Sequence, residues 1–187
     1  MKNLIIIGPT RSGKSTLAEM VRKRYGFSKI ELDSLVDAFK KVFPGLGIGG
    51  WIPGSEERLA PFIFHWFETL AKYSGGDGKY VMEGVHMYIQ TAFDKIDHNN
   101  TKIIVLGYPN ALPDEMLAAV RKNDKSKDWS AKASDEDLLW ELRDHGTEKS
   151  KRFQAQCKKL GIRFIDTGTD RMRKLQEFVD DLEEFLK

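Results

Sequence analysis

Residues 8–15 read Gly8-Pro9-Thr10-Arg11-Ser12-Gly13-Lys14-Ser15, a complete G-x-x-x-x-G-K-[ST] loop, and its flanks restrict the fold as much as its letters do. The apolar run Leu4-Ile5-Ile6-Ile7 comes immediately before it, and Leu17, Met20 and Val21 follow at helical spacing. That is the strand–loop–helix context in which the motif works. Gly8 and Gly13 let the backbone wrap around phosphates without side-chain clash, so that successive N–H groups point inward. A helix beginning near Lys14 adds the positive end of its dipole. The expected ligand is a nucleoside triphosphate with Mg²⁺, held by residues 8–15 and the adjoining Thr16. Lys14 is expected to bridge the β- and γ-phosphates, and the Ser15 hydroxyl to complete the coordination of the metal.

Five short apolar stretches alternate with helical patterns, at residues 3–7, 27–32, 79–83, 102–107 and 162–166. Such alternation predicts parallel strands joined by crossover helices, an α/β fold of three layers. Between Ser55 and Ser74, Leu59, Phe62, Ile63, Trp66, Phe67, Leu70 and Tyr73 fall on one stripe at spacings of three and four. Phe64 lies off that stripe and suggests a second packing surface. Ser134 before Asp135-Glu136-Asp137 reads as an N-cap with an acidic first turn. Gly146 reads as the end of that helix, and Thr147 as the cap of the next. Leu175, Phe178, Val179, Leu182, Phe185 and Leu186 predict a terminal helix docked by one apolar face.

At 187 residues, 41% of them hydrophobic, the chain is expected to form one domain with a substantial core. Thirty basic against 28 acidic residues leave a net charge of +2, which gives no footprint for nucleic acid or a membrane surface. No apolar run approaches the roughly 20 residues needed to cross a bilayer. The apolar start feeds directly into the phosphate loop, so no targeting segment is expected. The single cysteine, Cys157, suits a reducing, cytoplasmic location.

Two segments stand apart. Residues 44–54 hold five glycines and two prolines in eleven positions. They read as a floppy connection or as a hinged flap whose Trp51 closes over an acceptor. Residues 121–134 are rich in Lys, Asp and Ser, and read as a lid or as a solvated excursion.

The strand ends supply the candidates for chemistry. Asp33 follows the second strand at the edge where parallel sheets bind ligands. It is expected to cap a helix, to accept a proton from a hydroxyl, or to hold Mg²⁺. Glu83-Gly84 ends the third strand, and a carboxylate emerging there is the expected metal- or water-ordering residue. Ser15, Asp33 and Glu83 are therefore the candidate metal set, and Lys14, Asp33, Glu83 and Arg121 the catalytic one. Arg121, Arg143 and Arg152 follow the fourth strand; Arg121, at the start of the lid, is the favoured partner for the transferred phosphoryl group. Arg11 is a further phosphate or base contact. His65 and His86 lack a second ligand at zinc spacing. His86 is read as a packed or surface residue, or as part of an acceptor pocket.

The loop, Asp33, Val81-Met82-Glu83-Gly84 and the basic segment after the fourth strand together resemble the nucleoside monophosphate kinase-like group. Adenylate, shikimate, gluconate, uridine and dephospho-coenzyme A kinases belong to that group. The likeness extends over the whole chain as an order of elements and is motif-grade only over residues 8–16. It implies a five-stranded parallel sheet of order 2-3-1-4-5, and phosphoryl transfer from Mg·ATP to a small-molecule hydroxyl or phosphate acceptor. It further implies that Ile162-Arg163-Phe164-Ile165-Asp166-Thr167 forms the last strand and the adenine-cradling loop. Asp-Gly-Phe-Pro-Arg of the adenylate kinases is missing, and so is a paired-arginine lid. A regulatory GTPase is the rival reading, but Leu106-Gly107-Tyr108-Pro109 stands where an Asn-Lys-x-Asp guanine motif would follow the fourth strand. A nucleotide-binding regulator without transfer chemistry stays open at this point, as does the oligomeric state.

Overall fold

The computed structural model of the chain describes residues 2–49, 52–73, 79–123 and 129–187. Five strands, β1 (Asn3–Ile7), β2 (Ser28–Glu31), β3 (Tyr80–Gly84), β4 (Thr101–Gly107) and β5 (Arg163–Asp166), form one parallel sheet in the order β2-β3-β1-β4-β5. Register runs Ile5 opposite Met82 on one side and Ile103 on the other. The parallel arrangement brings Ile7, Glu31, Gly84, Gly107 and Asp166 to one edge. Every loop that follows a strand therefore emerges there, the general ligand edge of such sheets.

The strands read as unbroken apolar runs because both faces are covered. Alternate residues serve alternate faces. Ile5, Ile7, Met82, Ile103 and Val105 pack with Val36, Leu59, Ile63, Phe64, Phe67, Ala92 and Phe153. These come from α2 (Leu32–Val42), α3 (Ser55–Tyr73), α4 (Ile89–Lys95) and α7 (Lys149–Leu160). On the opposite face Leu4, Ile6, Val81, Ile104 and Leu106 meet Leu17 and Val21 of α1 (Lys14–Tyr25) and Leu175 and Phe178 of α8 (Arg171–Asp180). The terminal apolar stripe is split at Asp181, and α9 (Leu182–Phe185) completes it. Among the described residues no helix is long and apolar enough to cross a membrane.

The end of α1 follows from sequence: Gly26 adopts φ 72° and its N–H bonds to the Arg22 carbonyl, a left-handed cap after three basic residues. Gly146 behaves differently from expectation. Ser134 caps α6 (Asp135–Trp140) as predicted, accepting from the Asp137 N–H at 3.1 Å. The chain then widens into a π-helical stretch, Glu141–Glu148, and continues without interruption into α7. Gly146 lies inside this stretch and Thr147 caps nothing; its hydroxyl donates to the Leu142 carbonyl at 3.3 Å. The glycine is there for space. A Cβ at position 146 would lie 2.2 Å from the Tyr108 hydroxyl oxygen.

The Gly-rich segment is anchored from α3. The Arg58 guanidinium donates to the Gly47 carbonyl at 2.7 Å and to Pro53 at 2.8 Å, and the Gly49 N–H donates to Ser55 Oγ at 2.9 Å. Ile48 is buried beneath it. Trp51, the side chain expected to seal an acceptor, lies outside the described residues, as do residues 124–128 of the second segment. The described end of that segment, Trp129–Ala131, is a single turn leading into α6; α5 (Pro113–Asn123) precedes it.

Candidate nucleotide and acceptor site

The phosphate loop joins β1 to α1 in a conformation few sequences accept. Gly13 sits at φ 94° and Arg11 at φ 62°, a positive value that a non-glycine residue holds only when its surroundings fix it. Gly8 passes so close to β4 that a Cβ would lie 2.8 Å from the Leu106 carbonyl oxygen. The first turn of α1 contains no acidic residue and its N-cap makes no side-chain hydrogen bond. Its N–H groups and positive dipole therefore face the loop concavity unopposed. Lys14 opens that helix, is buried, and spends its ammonium on the Pro9 carbonyl at 2.9 Å. Burial pulls its pKa down, and the charges of Glu83 and Asp33 oppose the shift. An arriving phosphate offers this ammonium a charged partner in place of a neutral carbonyl. The Ser12 hydroxyl is also buried in the loop and has no partner.

Glu83 reaches the loop from β3, where it lies opposite Ile6. Its Oε1 accepts from the Ser15 hydroxyl at 2.8 Å, and burial raises its pKa against the pull of Lys14. Asp33 lies in the first turn of α2. The helix begins at Leu32 after Glu31, so Asp33 is not its cap. Its side chain is 63% exposed, 3.8 Å from His86 Nε2. The imidazole, by contrast, is nearly enclosed; burial lowers its pKa while Asp33 and Glu56 raise it. Lys14, Ser15, Asp33 and Glu83, named from sequence, are thus brought to one place. Among the described residues no three His, Cys, Asp or Glu side chains cluster as a metal cage. The donor set suits Mg²⁺, which keeps several waters and takes one or two protein oxygens beside substrate phosphates.

A polar link between α7, α3 and the loop after β3 was not legible in advance. Lys149 donates to Glu56 Oε1 at 3.4 Å and to the Val85 carbonyl at 3.4 Å, tying α7 to α3 and to the loop after β3. Tyr88 lies beside Glu56 and Glu57; burial first, then their charges, pushes its pKa up to about 12.

The phosphate loop is gripped at Thr10 from two directions. Tyr108, immediately after β4, donates its hydroxyl to the Thr10 carbonyl at 2.7 Å. The Thr10 hydroxyl donates to Glu141 Oε1 at 2.8 Å. Glu141 opens the π-helical stretch, is 5% exposed, and its other oxygen has no partner. Burial raises its pKa. Arg11 donates to Ser130 Oγ, and the Arg11 carbonyl accepts from Arg171 at 3.2 Å. Arg121 clamps the segment that follows it, donating to the Ser130 and Ala133 carbonyls and to Asp135 Oδ1. It is joined to the phosphate loop through Ser130, whose Oγ accepts from Arg11. Arg143 and Arg152 are exposed. Tyr108 could have been found from its place at a strand's carboxyl end. Glu141 could not, because α-helical periodicity does not foresee a π-helical stretch.

No known protein-family profile matches the chain. In shape it is similar to the shikimate kinase of Bacteroides thetaiotaomicron, with a TM-score of 0.60 and 14% identity over 99% of this chain and 98% of that one. The shikimate kinase of Acinetobacter baumannii, solved with shikimate, gives 0.59 and 14% over 100% and 95%. A gluconokinase from Sinorhizobium meliloti 1021 gives 0.58 and 12% over 99% and 93%. The strand order, the phosphate loop after β1 and these neighbours give the chain the P-loop fold of nucleoside monophosphate kinase-like small-molecule kinases.

Proposed function

We propose that this protein transfers the γ-phosphoryl group of Mg·ATP to a hydroxyl or phosphate of a small molecule. The observation that carries this reading is the convergence of Lys14, Ser15 and Glu83 at the phosphate loop, with Asp33 and His86 across the same edge. Residues 8–16 bind the triphosphate through loop N–H groups and the α1 terminus. Lys14 exchanges the Pro9 carbonyl for phosphate oxygens and stabilises charge on the group in transit. Ser15 and Glu83 would hold Mg²⁺, which when bound neutralises phosphate charge. Asp33 orients the acceptor, and the Arg121 clamp keeps Ser130 against Arg11. The segments 44–54 and 121–134 border the cleft as flap and lid of one catalytic unit, excluding water during transfer. Similar structures named for shikimate and for sugar support a hydroxyl acceptor. The lone buried Cys157 supports a reducing, cytoplasmic setting.

The test is ADP release from Mg·ATP with and without a panel of hydroxy acids, sugars, nucleosides and nucleotides. Stimulation by one compound, lost in Lys14→Ala with the fold retained, supports the reading. Tight ATP binding without stimulated turnover points to a nucleotide-binding regulator.

A further inference from the structure

Glu141 is the one described carboxylate in the site that is both enclosed and left with an unpaired oxygen. Its Oε1 is committed to the Thr10 hydroxyl at 2.8 Å, and its Oε2 is buried without a partner. A buried carboxylate oxygen is costly to leave unpaired, so a donor is expected when the site fills. The surroundings say where that donor comes from. Besides Thr10, Glu141 feels the charges of His145, Lys149 and Lys14. Lys14 belongs to the phosphate loop, whereas Lys149 links α7 to Glu56 of α3 and to the Val85 carbonyl after β3. Glu141 is thus joined directly to the phosphate loop through Thr10, with its second oxygen uncommitted. Asp33, by contrast, is 63% exposed, with His86 Nε2 3.8 Å away.

Resting on the phosphotransfer reading above, we infer that Glu141 Oε2 accepts the hydrogen of the acceptor hydroxyl and acts as the general base. The acceptor O–H bond breaks and its proton passes to Oε2. The oxygen's electron pair forms a new bond to the γ-phosphorus, and the bond from that phosphorus to the β,γ-bridging oxygen breaks, releasing ADP. Thr10 keeps the carboxylate aimed, and the enclosure that raises its proton affinity suits it to the task. The predicted acceptor is thus an un-ionised hydroxyl group. A phosphate acceptor, already deprotonated, needs no such base.

Glu141→Gln separates this role from a structural one. The amide oxygen still accepts from Thr10, but an NH₂ group replaces Oε2 and cannot take a proton. Removing a buried charge at constant shape is expected to leave Tm equal or higher. Wild type and variant are compared for ADP formation from Mg·ATP, with water alone and with shikimate, gluconate, glycerol and nucleosides as acceptors. Affinity for a fluorescent ATP analogue is measured in parallel. The expected result is a loss of about 10²–10⁴-fold in turnover, with analogue affinity and Tm preserved. Thr10→Val, which keeps the carboxylate but frees it, is expected to lose less. Turnover in Glu141→Gln within about threefold of wild type overturns the inference and leaves the kinase reading intact. A wild type that binds the analogue but forms no ADP with water or any acceptor overturns both.

Discussion

Gly146→Ala offers a sharp test of how the helix after the lid is coupled to the phosphate loop. Inside an unencumbered helix this change stabilises by about 1 kcal/mol, because alanine is the better helix former. Here the added Cβ would meet the Tyr108 hydroxyl oxygen at 2.2 Å and the ring carbons Cε2 and Cζ at 2.8 and 2.9 Å. Tyr108 is fully buried, so the ring cannot swing into solvent. Overpacking of this kind costs about 1–3 kcal/mol. Displacing the ring also breaks the 2.7 Å bond to the Thr10 carbonyl, worth about 1 kcal/mol or more when the acceptor is left unpaired. With the propensity gain of about 1 kcal/mol set against these costs, the net expectation is a loss of about 1–3 kcal/mol, opposite in sign to propensity. Urea unfolding of the nucleotide-free protein reads it, and a fluorescent ATP analogue reports weaker binding as Thr10 loses its brace. Tyr108→Phe removes the closest atom, so Gly146→Ala in that background should cost about 1 kcal/mol less than in the wild type. A Gly146→Ala protein more stable than wild type, with unchanged nucleotide affinity, would refute the reasoning.

Three further outcomes follow. Glu83→Gln loses the charged partner of Ser15 and should raise the Mg²⁺ concentration for half-maximal ADP formation by about 10-fold or more, read by magnesium titration. Cys157 is 1% exposed, and burial pushes its thiol pKa from 9.0 up to about 12. At pH 8 its reaction with iodoacetamide should be about 10³-fold slower in the native protein than in guanidinium, and equal rates would contradict the packing. Because the folded value is the raised one, this stabilising contribution is whole below pH 9.0 and declines as pH rises towards about 12. Hydrogen exchange with an ATP analogue and acceptor should increase protection at residues 8–16 and in both segments 44–54 and 121–134. Protection confined to the loop would remove the closing-lid model.

The strands were legible because their signals are local, whereas their order came from the resemblance to the nucleoside monophosphate kinase-like group. Apolar runs alternating with helical patterns announce parallel strands. Lys14, Ser15 and Glu83 could be named because a motif or a strand end determines their position. What the sequence left out has a common cause. Gly146 was read through its backbone freedom, whereas its role is to make room for a ring 38 positions earlier, a contact that only the fold reveals. Arg121 sits at the head of the segment as expected, but its guanidinium closes that segment on itself through Ser130, Ala133 and Asp135. Glu141 was not singled out from the sequence at all. The π-helical widening turns it inward onto Thr10, and no spacing rule for a regular helix predicts that.

The central claim is transfer rather than binding or hydrolysis, and the fate of the terminal phosphate tests it most directly. ATP labelled at the γ-phosphate is incubated with wild-type protein, Mg²⁺ and each candidate acceptor, and the products are separated. The account predicts label in a new small-molecule phosphate ester, formed in step with ADP and absent with Lys14→Ala. Label that stays in ATP, or leaves only as inorganic phosphate whatever acceptor is present, would contradict it.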